Sequence, residues 1–215
     1  MKGWELWVMV NSSLPTGGFA RSHGLETLVE EGRVKTAEDL RWLMPRIVEE
    51  AASTEGVALW HVLSSPPPKE ASAALRATRR LAALPWPEEV RQANRAQGGR
   101  LLKLTRSWGW PVPGVKGEIW SAPAFGLLAV TRRWDPETAV AAYLFTIAQE
   151  VVGAWCRLIR GDPNAAWGEL LALEAMAHKA AVQANRPLSK LASTSWWLEG
   201  VRARHATQMM RLFRT

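Results

Sequence analysis

The stretch "NSSLPTGGFARSHGLE", residues 11–26, sets a proline, a glycine pair and a third glycine ahead of an acidic, leucine-bearing segment. A glycine-rich turn opening into a helix has a direct chemical use, because the free N–H groups of a helix N-terminus bind anions. A phosphate loop of the G-x-x-x-x-G-K-[ST] type also needs a lysine for the β and γ phosphates and a hydroxyl for magnesium. Here Phe19 follows Gly18, Leu25 follows Gly24, and no lysine occurs between Lys2 and Lys35. The dinucleotide spacing G-x-G-x-x-G after a strand is missing too. What remains is a turn that brings backbone close to something. Pro15 fixes φ, Gly17 and Gly18 permit close approach, and Gly24 lets another segment pack at the start of helix "LETLVEE", which Gly32 ends. Glu26 falls in the first turn of that helix, where the dipole favours a carboxylate. The stretch fits a tight structural turn and a functional surface equally well.

Other chemistry-bearing residues are scattered. His23, His61, His178 and His205 are far apart, and no H-x-x-x-H, H-E-x-x-H or C-x-x-C spacing occurs, so no metal ligand is expected. His205 shares a helical stripe with Leu198, Val201, Met209 and Phe213, which makes it a core or interface histidine. There is no G-x-S-x-G elbow, and Cys156 lies mid-helix among apolar residues, where a thiol is inert packing. The pairs Glu30-Glu31, Glu49-Glu50 and Glu88-Glu89 point to different sides of a helix and read as solvated faces. No catalytic residue, metal or cofactor is expected, and nothing argues for an enzyme.

Composition bounds the partners. With 47% hydrophobic and 22% charged residues over 215, the chain is an ordinary globular one with enough length for a sizeable core. The net charge of +7 admits nucleic acid, an anionic membrane or an acidic protein. Arg95, Arg100, Lys103 and Arg106 recur along one helix, but without the interleaved aromatics of a single-strand binder, so a basic nucleic-acid-binding module stands as the alternative reading. The terminal "MMRLFRT" mixes methionine, phenylalanine and arginine, residues enriched in interfaces, and reads as a docking tail. One cysteine and no secretory h-region fit the cytoplasm. The most apolar run, residues 139–148, is half the roughly 20 residues a membrane span needs.

The elements that must position these residues are helical throughout. Thr36 and Asp39 form a capping-box-like start before Leu40, Leu43, Ile47 and Val48, with Pro45 expected to kink that helix. Asp135-Pro136 opens a helix carrying Val140, Leu144, Ile147, Val151, Trp155 and Leu158. Asp162-Pro163 opens another through Leu170, Leu171, Leu173, Ala177 and Ala181, and Pro87 a third weakened by Gly98-Gly99. Breaks fall at residues 64–69, 84–87, 108–118 and 185–187, and no β-type alternation is sustained. The expected architecture is all-α in a single domain, residues 1–215.

Both ends of the chain carry a resemblance. "SSLPTGGFARSHGLETLVEEGRV" is similar to the N-terminal signature S-P-x-L-P-x-G-x-F-x-Y-S-x-G-L-E of UreF-type urease accessory proteins, and "RHATQMMRLFRT" to that family's H-E-x-Q-Y-x-R-L-F-R-S end. "EEVRQANRAQGGRLLKL", "APAFGLLAV" and "AVAAYLFTIAQEVVGAWCRLI" resemble its intervening segments in order. The resemblance implies an all-α helical bundle that dimerises and is not catalytic. It implies partners: a UreD-type (UreH-type) accessory protein, a UreG-type GTPase and apo-urease, which together load nickel; neither nucleic acid nor membrane is among them. By position it assigns partner contacts to Pro15, Gly17, Gly18, Phe19, Ser22, Gly24, Leu25, Glu26, Arg157, His205, Gln208, Arg211, Leu212, Phe213 and Arg214, none of them a tight nickel ligand. The chain departs from the pattern at Arg21, Ala206 and Met209, and "RGDPNAAWG", residues 160–168, replaces the usual P-L-G-Q. Those changes leave room for altered interface geometry and for a diverged paralogue serving another metalloenzyme.

Overall fold

The computed structural model describes residues 3–214; Met1, Lys2 and Thr215, the last residue of the C-terminal motif, lie outside the described residues. Every regular element among the described residues is helical. In order these are α1 (Gly3–Met9), α2 (Leu25–Glu30), α3 (Leu40–Ala51), α4 (Val57–Leu63), α5 (Glu70–Ala82), α6 (Glu88–Ser107), α7 (Ser121–Arg132), α8 (Pro136–Leu158), α9 (Pro163–Ala172), α10 (Glu174–Gln183) and α11 (Trp196–His205).

The long helix α8 organises the fold. Asp135 caps it by accepting from the Thr138 N–H at 2.9 Å, and Pro136 occupies the first turn, where its missing N–H costs nothing. Val140, Leu144, Ile147, Val151 and Trp155 recur at helical spacing and are all buried, and α2, α3, α4, α7, α9 and α10 pack around them. Each large side chain so buried contributes about 1.5–3 kcal/mol. By length and composition α8 could cross a bilayer, yet 61% of its most apolar window is buried inside the fold, as in a core helix.

Three sequence expectations are corrected. The segment opened by Asp162-Pro163 is two helices, α9 and α10, meeting at Leu173. The bend lets Leu170 and Leu173 on one side, and Ala180 and Ala181 on the other, all reach the core. The stripe from Leu198 to Phe213 is not one helix: α11 ends at His205 and the remaining residues turn back across the surface, leaving Met209 99% exposed while Phe213 is buried. Finally, the acidic pairs are not uniformly solvated. Glu50 is buried, with the Thr194 backbone N–H and hydroxyl donating to it at 2.6 and 2.9 Å, and Glu89 is only half-exposed.

α3 runs on through Pro45, and the irregularity in its ladder comes later, as a π-helical segment, Ala52–Gly56, that joins α3 to α4. Ser53 and Thr54 hydroxyls bond back to the Glu50 carbonyl at 2.9 and 2.7 Å. The wider turn points Glu55 inward, 3.2 Å from the Tyr143 hydroxyl; that hydroxyl is 2.9 Å from Ser121 Oγ, which donates to Asn94 at 2.6 Å. Burial pushes the Glu55 carboxyl above its ordinary range.

Candidate partner-docking surface

After α1 the glycine-rich stretch lies across the C-terminal half of α8, at Glu150. Gly17 has φ 98°, and Gly18–Ala20 makes one 3-10 turn so close to α8 that a Cβ on Gly18 would land on the Glu150 carboxylate. Beneath it His23 Nε2 sits 2.6 Å from Glu150 Oε2, both side chains buried. Arg21, also buried, donates to Gln97 at 2.9 Å. His23 holds a left-handed φ of 55°, uncommon outside glycine, and Gly24 follows at 91°. Burial, then the nearby Arg21 charge, lower the His23 pKa to about 4, against the smaller opposing pull of Glu150. Gly24 faces Leu198, Val201 and Arg202 of α11, so α2 starts in contact with the C-terminal helix.

Glu26, expected only to favour a helix dipole, is the point where the two ends of the chain are tied. One oxygen accepts the Leu212 N–H at 2.6 Å; the other accepts the Phe213 N–H at 3.1 Å and lies 2.8 Å from His205 Nε2. The second ring nitrogen of His205 is 2.8 Å from Glu89, at the start of α6, and Glu89 in turn pairs with Arg211. The Arg214 N–H donates to the Ala20 carbonyl at 2.9 Å. Arg157 of α8, steadied by its bond to the Gly153 carbonyl at 2.9 Å, places its guanidinium carbon 3.8 Å from the Phe19 ring centroid and 4.3 Å from that of Phe213. A cation between two rings thus closes the junction of signature, α8 and tail.

The structure therefore brings together Gly17, Gly18, Phe19, Ser22, Gly24, Leu25, Glu26, Arg157, His205, Arg211, Leu212, Phe213 and Arg214. Pro15 is exposed beside them, and Gln208 is half-buried with neither amide atom partnered among the described residues. Leu25, Ser22, Gly24 and His205 are interior, so they support the face from below. Phe19 (59% exposed) on the signature and Met209, Met210 and Leu212 on the tail are exposed. Sequence reasoning missed Arg21, His23, Gln97, Glu89 and Glu150. The available signal was His205 on an apolar stripe, since a buried imidazole demands polar partners; nothing local identified which carboxylates would supply them. Residues 159–162 link α8 to α9, whose start is capped by Asp162 accepting the Asn164 N–H at 2.9 Å. No group of three or more His, Cys, Asp or Glu side chains among the described residues is arranged to hold a metal ion.

Comparison with known proteins bears on what such a surface serves. The UreF family model matches residues 34–174, the helical body between the two termini just described. Beyond that span, the chain is 28% identical over 231 residues to urease accessory protein F of Oryza sativa subsp. indica, covering 99% of this chain and 85% of that one. It is 31% identical over 219 residues to urease accessory protein UreF of Alkalilimnicola ehrlichii, covering 98% and 95%, and 28% identical over 221 residues to the Bradyrhizobium protein of that name, covering 99% and 91%. The helical architecture and the near full-length similarity agree, and the chain belongs to the UreF family of urease accessory proteins.

Proposed function

We propose that this protein acts in the cytoplasm, as one all-α domain over residues 1–215 and as a dimer, to bridge a UreG-type GTPase and a UreD/UreH-type protein while nickel is inserted into apo-urease. The role is that of a non-catalytic scaffold, the GTP chemistry belonging to the partner. The observation that carries the reading is the junction at Glu26. A buried carboxylate fixes the tail against the signature, leaving Phe19 exposed on the one and Met209, Met210 and Leu212 on the other. A monomer normally buries such side chains; exposed at this junction, they suit a partner's surface. Of the α6 cations behind the basic nucleic-acid alternative, Arg95 is engaged by Glu118 at 2.9 Å and Glu88 at 3.6 Å, while Arg100 and Lys103 make no ion pair among the described residues, so that reading rests on fewer cations than the sequence offered.

Co-expression with the GTPase and the UreD/UreH-type protein, followed by pull-down and urease assay, tests the reading. A ternary complex and active urease are expected from the wild-type chain, and both fail with the paired substitution Met209→Asp and Met210→Asp, which charges the exposed tail at two residues outside its bonds to Glu26. Absence of a complex with the wild-type chain, or full urease activation by the charged variant, overturns it.

A further inference from the structure

Beside Phe19 runs an open groove of ≈ 550 Å³ that none of the junction bonds fills. Leu14, Pro15 and Phe19 give it apolar walls, Ser13 a hydroxyl, and Arg100 of α6 and Arg214 of the tail two guanidinium groups; among the described residues no acidic one lines it. Neither arginine makes an ion pair among the described residues, and the Arg100 side chain has one long bond, 3.4 Å to the Thr16 carbonyl. Lys103, one turn along α6 from Arg100, is also exposed and makes no ion pair among the described residues. The Glu150 carboxylate lies on the buried side of Gly18 and is taken by His23.

We propose that this groove receives an extended acidic segment of a protein partner, carboxylates meeting Arg100 and Arg214 and apolar side chains lying along Leu14, Pro15 and Phe19. The inference rests on the docking role proposed for this face and adds the chemistry of what docks. Three features favour it. Guanidinium groups bind carboxylates in paired, directed bonds, and two of them at one groove set a register that a single anion would not use. The volume falls in the range of sites that enclose ligands of drug size and above, far larger than an isolated ion. The net charge of +7 steers an acidic partner toward the protein. A single strand that binds by stacking its bases would need free ring faces, whereas the single ring at the groove, Phe19, already has Arg157 against it.

The test uses the full chain and a fluorescein-labelled peptide of alternating glutamate and leucine, with a glutamine-leucine peptide as control, read by anisotropy. Wild type is expected to bind the acidic peptide, and to bind the glutamine peptide about tenfold more weakly or worse. R100Q/R214Q should lose about tenfold in affinity, corresponding to roughly 1.4 kcal/mol. The charge-matched K69Q/R79Q, at the N-cap and in the body of α5 and outside the groove, should change it by less than about twofold, as screened distant charges do. Equal losses in the two double variants, equal affinity for the two peptides, or tighter binding of oligothymidylate at the same residues would overturn the proposal. Pull-down with the accessory partners separates this from the broader reading. No complex with wild type removes the docking role itself, whereas intact assembly and urease activation by R100Q/R214Q remove only the acidic segment.

Discussion

Trp155 and Glu26 anchor two regions held together by different physics. Around Trp155, which is 1% exposed, the stripe of α8 meets neighbouring helices through apolar contact, and the one directed bond, from the indole N–H to the Thr36 carbonyl, is 3.2 Å long. Contact of that kind is non-directional, so it tolerates exchange of one apolar side chain for another of similar volume. Around Glu26 nearly every connection is a directed bond to a named atom: two backbone N–H groups, an imidazole and, through it, a second carboxylate and an arginine. Such a junction does not tolerate even isosteric change, because each lost partner leaves a buried polar group unsatisfied. The core determines whether the chain folds; the junction determines where its last residues lie.

The most severe test of that contrast is Trp155→Ala. Removing a buried indole costs about 3–5 kcal/mol through lost burial and a residual cavity. The expected result is a lower urea midpoint for the whole molecule, with the tail and the helices unfolding together. A variant in which only the tail loosened would place the structural centre at the junction and reverse the comparison.

Acidification discriminates in the opposite direction. His23 titrates near its ordinary 6.5 in the unfolded chain and at about 4 when folded. Between those values the unfolded state binds the extra proton, so the stability gained from a neutral His23 is complete above pH 6.5 and is lost as pH falls toward 4. Glu55 and Glu199, both pushed up by burial, slope the other way, their cost growing as pH rises above the ordinary carboxylate value. The informative quantity is therefore the difference between wild type and His23→Gln. It should fall by on the order of 3 kcal/mol from pH 7 to pH 4 in chemical denaturation, and an unchanged difference would mean that the His23–Glu150 contact is open to solvent.

Glu26→Gln probes the junction alone. The amide keeps the shape but replaces one acceptor oxygen by a donor facing groups that themselves donate, at a cost of about 1–3 kcal/mol confined to the tail. Trypsin cleavage after Arg204 and Arg211 should accelerate while the far-ultraviolet dichroism stays at its wild-type value. Coincident loss of helix signal would show that junction and core are one cooperative unit.

These outcomes also mark how far the sequence could be read. Val140 through Trp155 repeat every three or four residues, and that period is a local property of the chain, so α8 and its buried face were legible, as were the caps Asp135 and Asp162. The break at Leu173 was not, because the apolar period continues through it and only the curvature of the packed surface makes the two helices part. The polar junction was legible in outline: the signature and the tail matched a family pattern at both ends. Its chemistry was not, since the bonds of Glu26 to Leu212 and Phe213 span 186 and 187 residues, and no spacing rule connects such positions. Glu50 and Glu89 failed for the same reason: an acid on a helix is solvated unless a distant segment covers it, and here Thr194 and His205 do.

Arg157→Lys carries the smallest expected effect and the finest distinction. The guanidinium is planar and lies against Phe19 and Phe213 at once, whereas an ammonium is compact, more strongly hydrated and unable to stack on two rings. Positive charge is retained, so any change reports the loss of the planar group, with its stacking and its bond to the Gly153 carbonyl, rather than a loss of charge. Half-exposed cation–π contacts are worth about 0.5–1 kcal/mol, too little to move the global unfolding midpoint appreciably. The loss should appear instead as faster hydrogen exchange at the Arg214 amide, which bonds to Ala20 beside Phe19, with the Glu26-bound Leu212 and Phe213 amides slower. If all three amides accelerate equally, the ring sandwich and the Glu26 bonds act as one latch; if Leu212 and Phe213 both stay protected, the carboxylate holds the tail and the arginine only orients the rings.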